Sequence, residues 1–228
     1  ISILGCGWLG LPLAKVLVKN GFSVKGSTTT QDKIDVLKQS GIEPFLFALN
    51  PENIQGNAIS FLEHSEVLII NIPPKLRGNS KEDFVGKMKT LIPFIEKSSV
   101  EKVLFVSSTS VYADENVIVT EETPPQPETE SGRQLLQSEQ LLQNNTHFKT
   151  TIVRFGGLIG EDRHPIRFLS GRDAIENPNA PINLIHLEDC IGIITQIIQQ
   201  NSWGEIYNGV TPFHPSREAD YVNKAIML

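Results

Sequence analysis

The chain opens Ile1-Ser2-Ile3-Leu4-Gly5-Cys6-Gly7-Trp8-Leu9-Gly10-Leu11-Pro12, and the reading of this stretch decides the fold. Residues 1–4 are mostly aliphatic and read as a buried strand. The glycines follow at once at G-x-G-x-x-G spacing, and Leu13, Ala14, Val16 and Leu17 then recur as one helix face. Gly21 closes that helix as its C′ residue. Pro12 falls in the first turn, where its missing N–H loses no partner. The physical logic is anion capture. Gly5 permits a tight turn out of the strand, Gly7 a close approach of backbone to a pyrophosphate, and Gly10 close packing of helix on strand. Unpaired N–H groups and the helix dipole then face the phosphates. Strand before, helix after: this is the context that dinucleotide binding requires. Gly5, Gly7, Trp8, Leu9 and Gly10 are therefore expected at the cofactor.

Composition narrows the remaining classes. A chain of 228 residues buries a sizeable core as one domain, or as one domain with a small appendage. A net charge of −6 without a dense basic run argues against nucleic acid as a partner. No apolar run reaches the length of a membrane span. The first apolar stretch ends in the glycine loop rather than in a cleavable segment, so no leader peptide is expected. Cys6 and Cys190 lie far apart without metal-ligand spacing, so a reducing, cytoplasmic setting is expected, with Cys6 a small packing residue.

Downstream, strands alternate with helical patterns. Residues 22–25 read as the second strand, running into Ser27-Thr28-Thr29-Thr30. A carboxylate at this tip binds an adenosine-ribose 2′-hydroxyl; hydroxyls with Lys33 nearby suit a 2′-phosphate better, so NADP is preferred to NAD. Ser27, Thr28 and Thr29 are the candidate contacts, while Thr29 or Thr30 also suits N-capping of a helix over 31–40. Residues 43–50 form a third strand. Residues 66–72 form an apolar central strand stopped by Pro73-Pro74, which puts Ile72, Pro73 and Pro74 at the cofactor crevice. Lys75 and Arg77 read as phosphate contacts or as solvated loop. A helix over 80–97, a strand over 102–106, a long acidic, proline-rich loop over 113–130, a helix carrying Leu135, Leu136, Leu141 and Leu142, and a strand over 150–155 follow. A short strand at 181–186, a helix over 189–199 and a strand at 205–209 complete the pattern. The order means an α/β, doubly wound parallel sheet.

Four motifs now stand at related intervals: Gly5-x-Gly7-x-x-Gly10, Val106-Ser-Ser-Thr-Ser-Val-Tyr112, Val153-Arg-Phe-Gly-Gly-Leu-Ile-Gly160 and Asn183-Leu-Ile-His-Leu-Glu-Asp189. With them the chain resembles the extended short-chain dehydrogenase/reductases, which include the NAD-dependent epimerase/dehydratase family. The resemblance implies a Rossmann domain over 1–160, a small, partly interleaved substrate-binding portion over 161–228, and bound NAD or NADP. It places Ser107 and Phe155–Leu158, with Gly156, near the cofactor. The family's chemistry uses a Ser or Thr after the fifth strand, matched by Ser108, and a Tyr-x-x-x-Lys pair on the next helix. That pair is absent. Gly132 and Glu139 fix the register, with Ser131 at the tyrosine position and Leu135 at the lysine position. A serine hydroxyl is a far poorer acid/base near neutral pH than a tuned phenol.

Ser108 and Ser131 are the candidate catalytic residues, and Tyr112 reads as a structural residue of the motif or as a substitute acid/base. Arg163 and Arg167, with Arg172 nearby, suggest a small, anionic or sugar-like substrate. Arg133 reads as solvent-facing and His186 as structural; His164 and His214 have no metal-ligand company. The resemblance also implies a homodimer through the helices near 80–97 and 133–144. Two functions stay open: an NAD(P)-dependent oxidoreductase or epimerase-like enzyme, and a catalytically inactive NAD(P) sensor.

Overall fold

The computed structural model describes residues 1–76, 82–115, 117–165 and 177–226. Its centre is a seven-stranded sheet made of β1 (Ser2–Leu4), β2 (Lys25–Thr28), β3 (Glu43–Leu46), β6 (Val67–Ile70), β7 (Lys102–Ser108), β8 (Lys149–Phe155) and β11 (Ile206–Gly209). Its order is β11-β8-β7-β6-β1-β2-β3, and every pairing is parallel. This is the doubly wound Rossmann arrangement: the order reverses at β1, where the glycine loop leaves the sheet.

The strands are covered on both faces, and their period of two divides the core. Leu4, Leu68, Ile70, Val103 and Phe105 pack under α3 (Ala58–Leu62), α4 (Phe84–Glu96) and α5 (Glu130–Gln143). Ile3, Val67, Ile69 and Leu104 pack under α1 (Gly10–Lys19), α2 (Lys33–Gln39) and α6 (Leu187–Gln199). A small antiparallel pair, β4 (Ala48–Leu49) with β5 (Ile54–Gln55), and a parallel pair, β9 (Gly157–Ile159) with β10 (Leu184–His186), lie outside the main sheet. Beyond residue 160 the chain returns to the sheet: β11 is its edge strand and α6 packs on α1. A last helix, α7, covers Arg217–Ile226.

Several boundaries differ from the sequence pattern. The second strand is Lys25–Thr28 rather than 22–25. Gly26, Ser27 and Thr28 are strand because all three are laddered to β3 and Gly26 also to β1. Gly26 suits this site because a Cβ there would stand 2.7 Å from Cys6 Sγ. The helix expected over 31–40 is shorter, and its N-cap is Asp32, without a side-chain capping bond, so neither Thr29 nor Thr30 caps it. The third strand breaks into β3 and β4. Helix α4 begins at Phe84, where Asp83 accepts from Gly86 N at 2.7 Å; residues 80 and 81 lie outside the described ones. The strand at 181–186 shortens to 184–186, and α6 starts at Leu187, two residues early. The periodicity did not reveal α3, α7, β5 or β9.

Candidate functional site

The glycine loop is held in one shape by the two strands beside β1. Gly5 has φ 101°, the left-handed region that favours glycine, and a Cβ there would stand 2.5 Å from the Asn71 carbonyl oxygen. Gly10 opens α1, and its Cβ would stand 2.1 Å from the Gly5 carbonyl oxygen. Gly7 differs: it is exposed, and a Cβ would meet nothing within 4 Å. The loop therefore has two crowded glycines and, between them, open space above its backbone. Gly5 N donates to Ser27 Oγ at 2.8 Å, Cys6 N to Ser27 O at 2.8 Å, and Asn71 Nδ2 to Gly5 O at 3.1 Å. Leu9, at the N-cap of α1, makes no side-chain capping bond, and the first turn has no acidic residue, so no side chain of the first turn neutralises the positive helix end. Cys6 is buried. Burial pushes its thiol up to about 12, against the smaller opposing effects of a Ser27 hydrogen bond and the Lys33 charge.

At the tip of β2, two hydroxyls already have work inside the protein. Ser27 Oγ supports Gly5, and Thr28 Oγ1 accepts from Thr30 N at 3.1 Å. Thr29, Thr30 and Lys33 are exposed beside them. Past β6, Ile72 lies against Gly5, 2.9 Å from where its Cβ would be, and Pro73 and Pro74 follow. Arg77 lies outside the described residues.

At the C-terminal ends of β7 and β8 is a cleft of about 850 Å³, lined by Ser107, Ser108, Tyr112, Phe155, Gly156 and Asn208 among others. Ser107 and Ser108 are adjacent in β7 and point to opposite sides. Ser107 Oγ donates to Glu139 Oε1 at 2.5 Å. Ser108 Oγ accepts from Ser110 N at 3.1 Å, capping the 3-10 turn over Thr109–Val111. That bond orients the Ser108 oxygen and uses a lone pair, leaving the hydroxyl proton available to an acceptor in the cleft.

Below the cleft floor lies a buried polar network. Glu139, fully buried, takes bonds from Arg154 Nε at 3.1 and 3.2 Å and from Nη2 at 2.6 Å. Arg154 Nη1 donates to Tyr112 Oη at 2.7 Å, and Tyr112 Oη donates to Asn208 Oδ1 at 3.0 Å. Burial works against the Arg154 charge, but hydrogen bonds and charge from Glu139, then Tyr112, outweigh it and hold the guanidinium above its usual range. The Tyr112 hydroxyl is thus committed to two protein partners, as a structural residue would be.

Helix α5 approaches this region through Gly132, whose Cβ would stand 2.2 Å from the Ser110 carbonyl oxygen. Thr129 Oγ1 caps α5 by accepting from Gly132 N at 3.0 Å. Glu128 and Thr129 form the cleft wall on this side; Ser131 is not part of it. Leu135 is 3% exposed, within the apolar core. Arg133 is exposed and bonds Glu130 Oε2 at 3.0 Å and Glu128 O at 2.8 Å.

Arg163 joins the two regions. It lines the cleft, and its guanidinium carbon lies 5.0 Å from the centre of the Trp8 ring. Trp8 Nε1 donates to Asp162 Oδ1 at 2.8 Å. Arg167 and Arg172 lie outside the described residues. His186 Nδ1 accepts from Glu188 N at 3.3 Å and so caps α6; His164 Nε2 stands 3.4 Å from Asp220 Oδ2. Among the described residues there is no cluster of His, Cys, Asp and Glu able to hold a metal ion, and no helix long and apolar enough to cross a membrane. The sequence reading missed Asn71, Arg154, Asn208 and Asp162 as architects of this site, and took Glu139 only as a register mark. One signal was present: an arginine inside the apolar run 150–155 requires a buried partner.

Comparison with known proteins fits this architecture. The family model of the NAD dependent epimerase/dehydratase family matches residues 79–208. Protein YeeZ of Escherichia coli (strain K12) is 38% identical over 229 residues, covering 100% of this chain and 83% of that protein. A UDP-glucuronic acid 4-epimerase from Bacillus cereus in complex with NAD superposes with a TM-score of 0.76 at 20% identity, covering 95% of this chain and 80% of its own. A short-chain dehydrogenase/reductase superfamily protein from Agrobacterium tumefaciens with bound NAD gives a TM-score of 0.76 at 17% identity, covering 99% and 82%. With the sheet order, the glycine loop and the family match in agreement, the chain belongs to the NAD-dependent epimerase/dehydratase family.

Proposed function

We propose that this protein binds NAD(P) on the Gly5–Gly10 loop and acts as an oxidoreductase or epimerase-like enzyme on a small, sugar-like or anionic substrate in the 850 Å³ cleft. The observation that carries this reading is the loop itself: Gly5 and Gly10 are crowded by backbone, while Gly7 faces open space at an uncapped helix N-terminus. These residues fit a dinucleotide diphosphate. In this reading Ile72, Pro73 and Pro74 extend the crevice, and the family resemblance assigns Ser107, Phe155 and Gly156 to the nicotinamide end. The cofactor, when bound, supplies the hydride chemistry. Ser108 supplies a hydrogen bond to the substrate oxygen, its own oxygen oriented by Ser110 N. Ser131 is outside the cleft wall, so in this reading the proton comes from water. NADP is preferred because no carboxylate occupies the tip of β2, where Thr29, Thr30 and Lys33 are exposed. The portion after residue 160 supplies the substrate side of the cleft through Pro181, Asn183 and His214. A homodimer through α4 and α5, which pack together, and a cytoplasmic setting are part of the same reading.

A second reading, an NAD(P) sensor without turnover, is favoured by one observation. Leu135, at the family's lysine position, is buried in the core and offers no charge to a ribose or a proton donor. Calorimetric titration with NADPH and NADH, followed by assay against carbonyl compounds and sugar nucleotides, separates the two. Binding with turnover supports the enzyme, and binding without turnover supports the sensor. Failure to bind either dinucleotide refutes both.

A further inference from the structure

We propose that Arg163 is a ligand for the diphosphate of the dinucleotide, so that the segment over 160–163 closes the cofactor site from the C-terminal side. The inference rests on the reading of the glycine loop as a dinucleotide site and adds to it a residue distant in the chain. Trp8 lies within that loop, between Gly7 and Gly10, and the Arg163 guanidinium carbon lies over its ring, 5.0 Å from the centre. A cation over an indole is held through the ring face, and a guanidinium carries five N–H donors, more than one such contact uses. Arg163 also lines the cleft that Ser107 and Phe155 line, so it touches the glycine loop through Trp8 and the cleft assigned to the nicotinamide end. A dinucleotide running from the β2 tip to the cleft passes its diphosphate over that loop.

The segment is built to hold the arginine there. Gly160 N donates to Arg163 O at 2.8 Å and Arg163 N to Gly160 O at 3.1 Å, closing a tight turn. A Cβ on Gly160 would stand 2.8 Å from Trp8 Cζ2, so glycine is what allows the turn to lie on the indole. The Trp8 Nε1 to Asp162 Oδ1 bond of 2.8 Å fixes the turn from its other side. Asp162 is thereby engaged with the indole, and among the described residues no carboxylate pairs with the Arg163 guanidinium. A preorganised cation that no carboxylate among the described residues pairs, beside an anion-binding loop, matches a diphosphate, whose oxygens accept the paired N–H groups of a guanidinium.

The test is calorimetry of the wild-type chain, Arg163→Gln and Arg163→Lys with NADPH, NADH, ADP-ribose, adenosine and UDP. Removing one charge-assisted hydrogen bond is expected to weaken NAD(P)H and ADP-ribose by about tenfold or more, with adenosine affinity and melting temperature unchanged and Arg163→Lys intermediate. The loss should shrink as salt is raised. Equal affinity of wild type and Arg163→Gln for NAD(P)H overturns the assignment while sparing the glycine-loop reading. A loss confined to UDP also overturns it, giving Arg163 to a substrate phosphate instead. If the wild-type chain binds no dinucleotide, the underlying reading fails and the assignment falls with it.

Discussion

Glu139→Gln is the substitution whose cost the structure defines best. Glu139 is fully buried and Arg154 is 2% exposed, and three bonds of 2.6, 3.1 and 3.2 Å join them. The variant keeps the shape of the side chain and removes the charge, so Arg154 stays buried, charged and without its counter-ion. Breaking such a pair from one side costs about 3–5 kcal/mol. A domain of this size has a total stability of about 5–15 kcal/mol, so about a fifth or more is at stake. At about 2–4 °C per kcal/mol, the melting temperature falls by about 6–20 °C. Urea unfolding followed by circular dichroism gives the value directly, and an unchanged slope keeps the two-state comparison valid. The double variant Glu139→Leu/Arg154→Met removes both charges and is expected to recover most of the loss. It falls short by about 1 kcal/mol for each hydrogen bond that Ser107 and Tyr112 then lack. A single-variant cost below about 1 kcal/mol, or a double variant no more stable than the single, refutes the network as the support of the cleft floor.

Other outcomes follow from the same geometry. Gly7→Val leaves the melting temperature unchanged, because no atom stands within 4 Å of the new Cβ, yet abolishes NAD(P)H binding in a calorimetric titration. Gly10→Ala lowers both, since its Cβ meets the Gly5 carbonyl oxygen and the turn must shift. Ser108→Ala lowers turnover of any substrate found by about a hundredfold with NAD(P)H affinity intact; unchanged turnover removes Ser108 from the mechanism. Burial pushes the thiols of Cys6 and Cys190 up to about 12, so both stay protonated at pH 8, unreactive to Ellman's reagent until the chain unfolds in urea. Rapid labelling of native Cys6 contradicts its packing role.

The fold was legible where a local pattern carried its own explanation. The glycine spacing, the aliphatic strand before it and the apolar helix face after it needed no knowledge of the rest of the chain. The run over 66–72 announced a strand covered on both faces, and β6 occupies its centre. Legibility failed where a strand is polar. Gly26, Ser27 and Thr28 have no apolar alternation, and only pairing with β3, and of Gly26 with β1, makes them strand. The register of Gly132 and Glu139 assigned Ser131 and Leu135 to the family's Tyr and Lys positions as an expectation, while the burial of Leu135 was not readable.

The candidate site itself was decided by contacts between distant residues. Nothing near Arg154 in sequence names Glu139 as its partner, and nothing near Trp8 names Asp162 or Arg163. The roles of Ser27 and Ser108 are equally non-local or conformational: one hydroxyl supports Gly5 across the sheet, and the other is oriented by a turn that forms after β7 ends. Sequence patterns report the periods of strand and helix, which arise from backbone geometry over a few residues. The partner of a buried charge, the space over a glycine and the freedom of one hydroxyl proton depend on which surfaces meet when the sheet closes, and only the tertiary structure decides them.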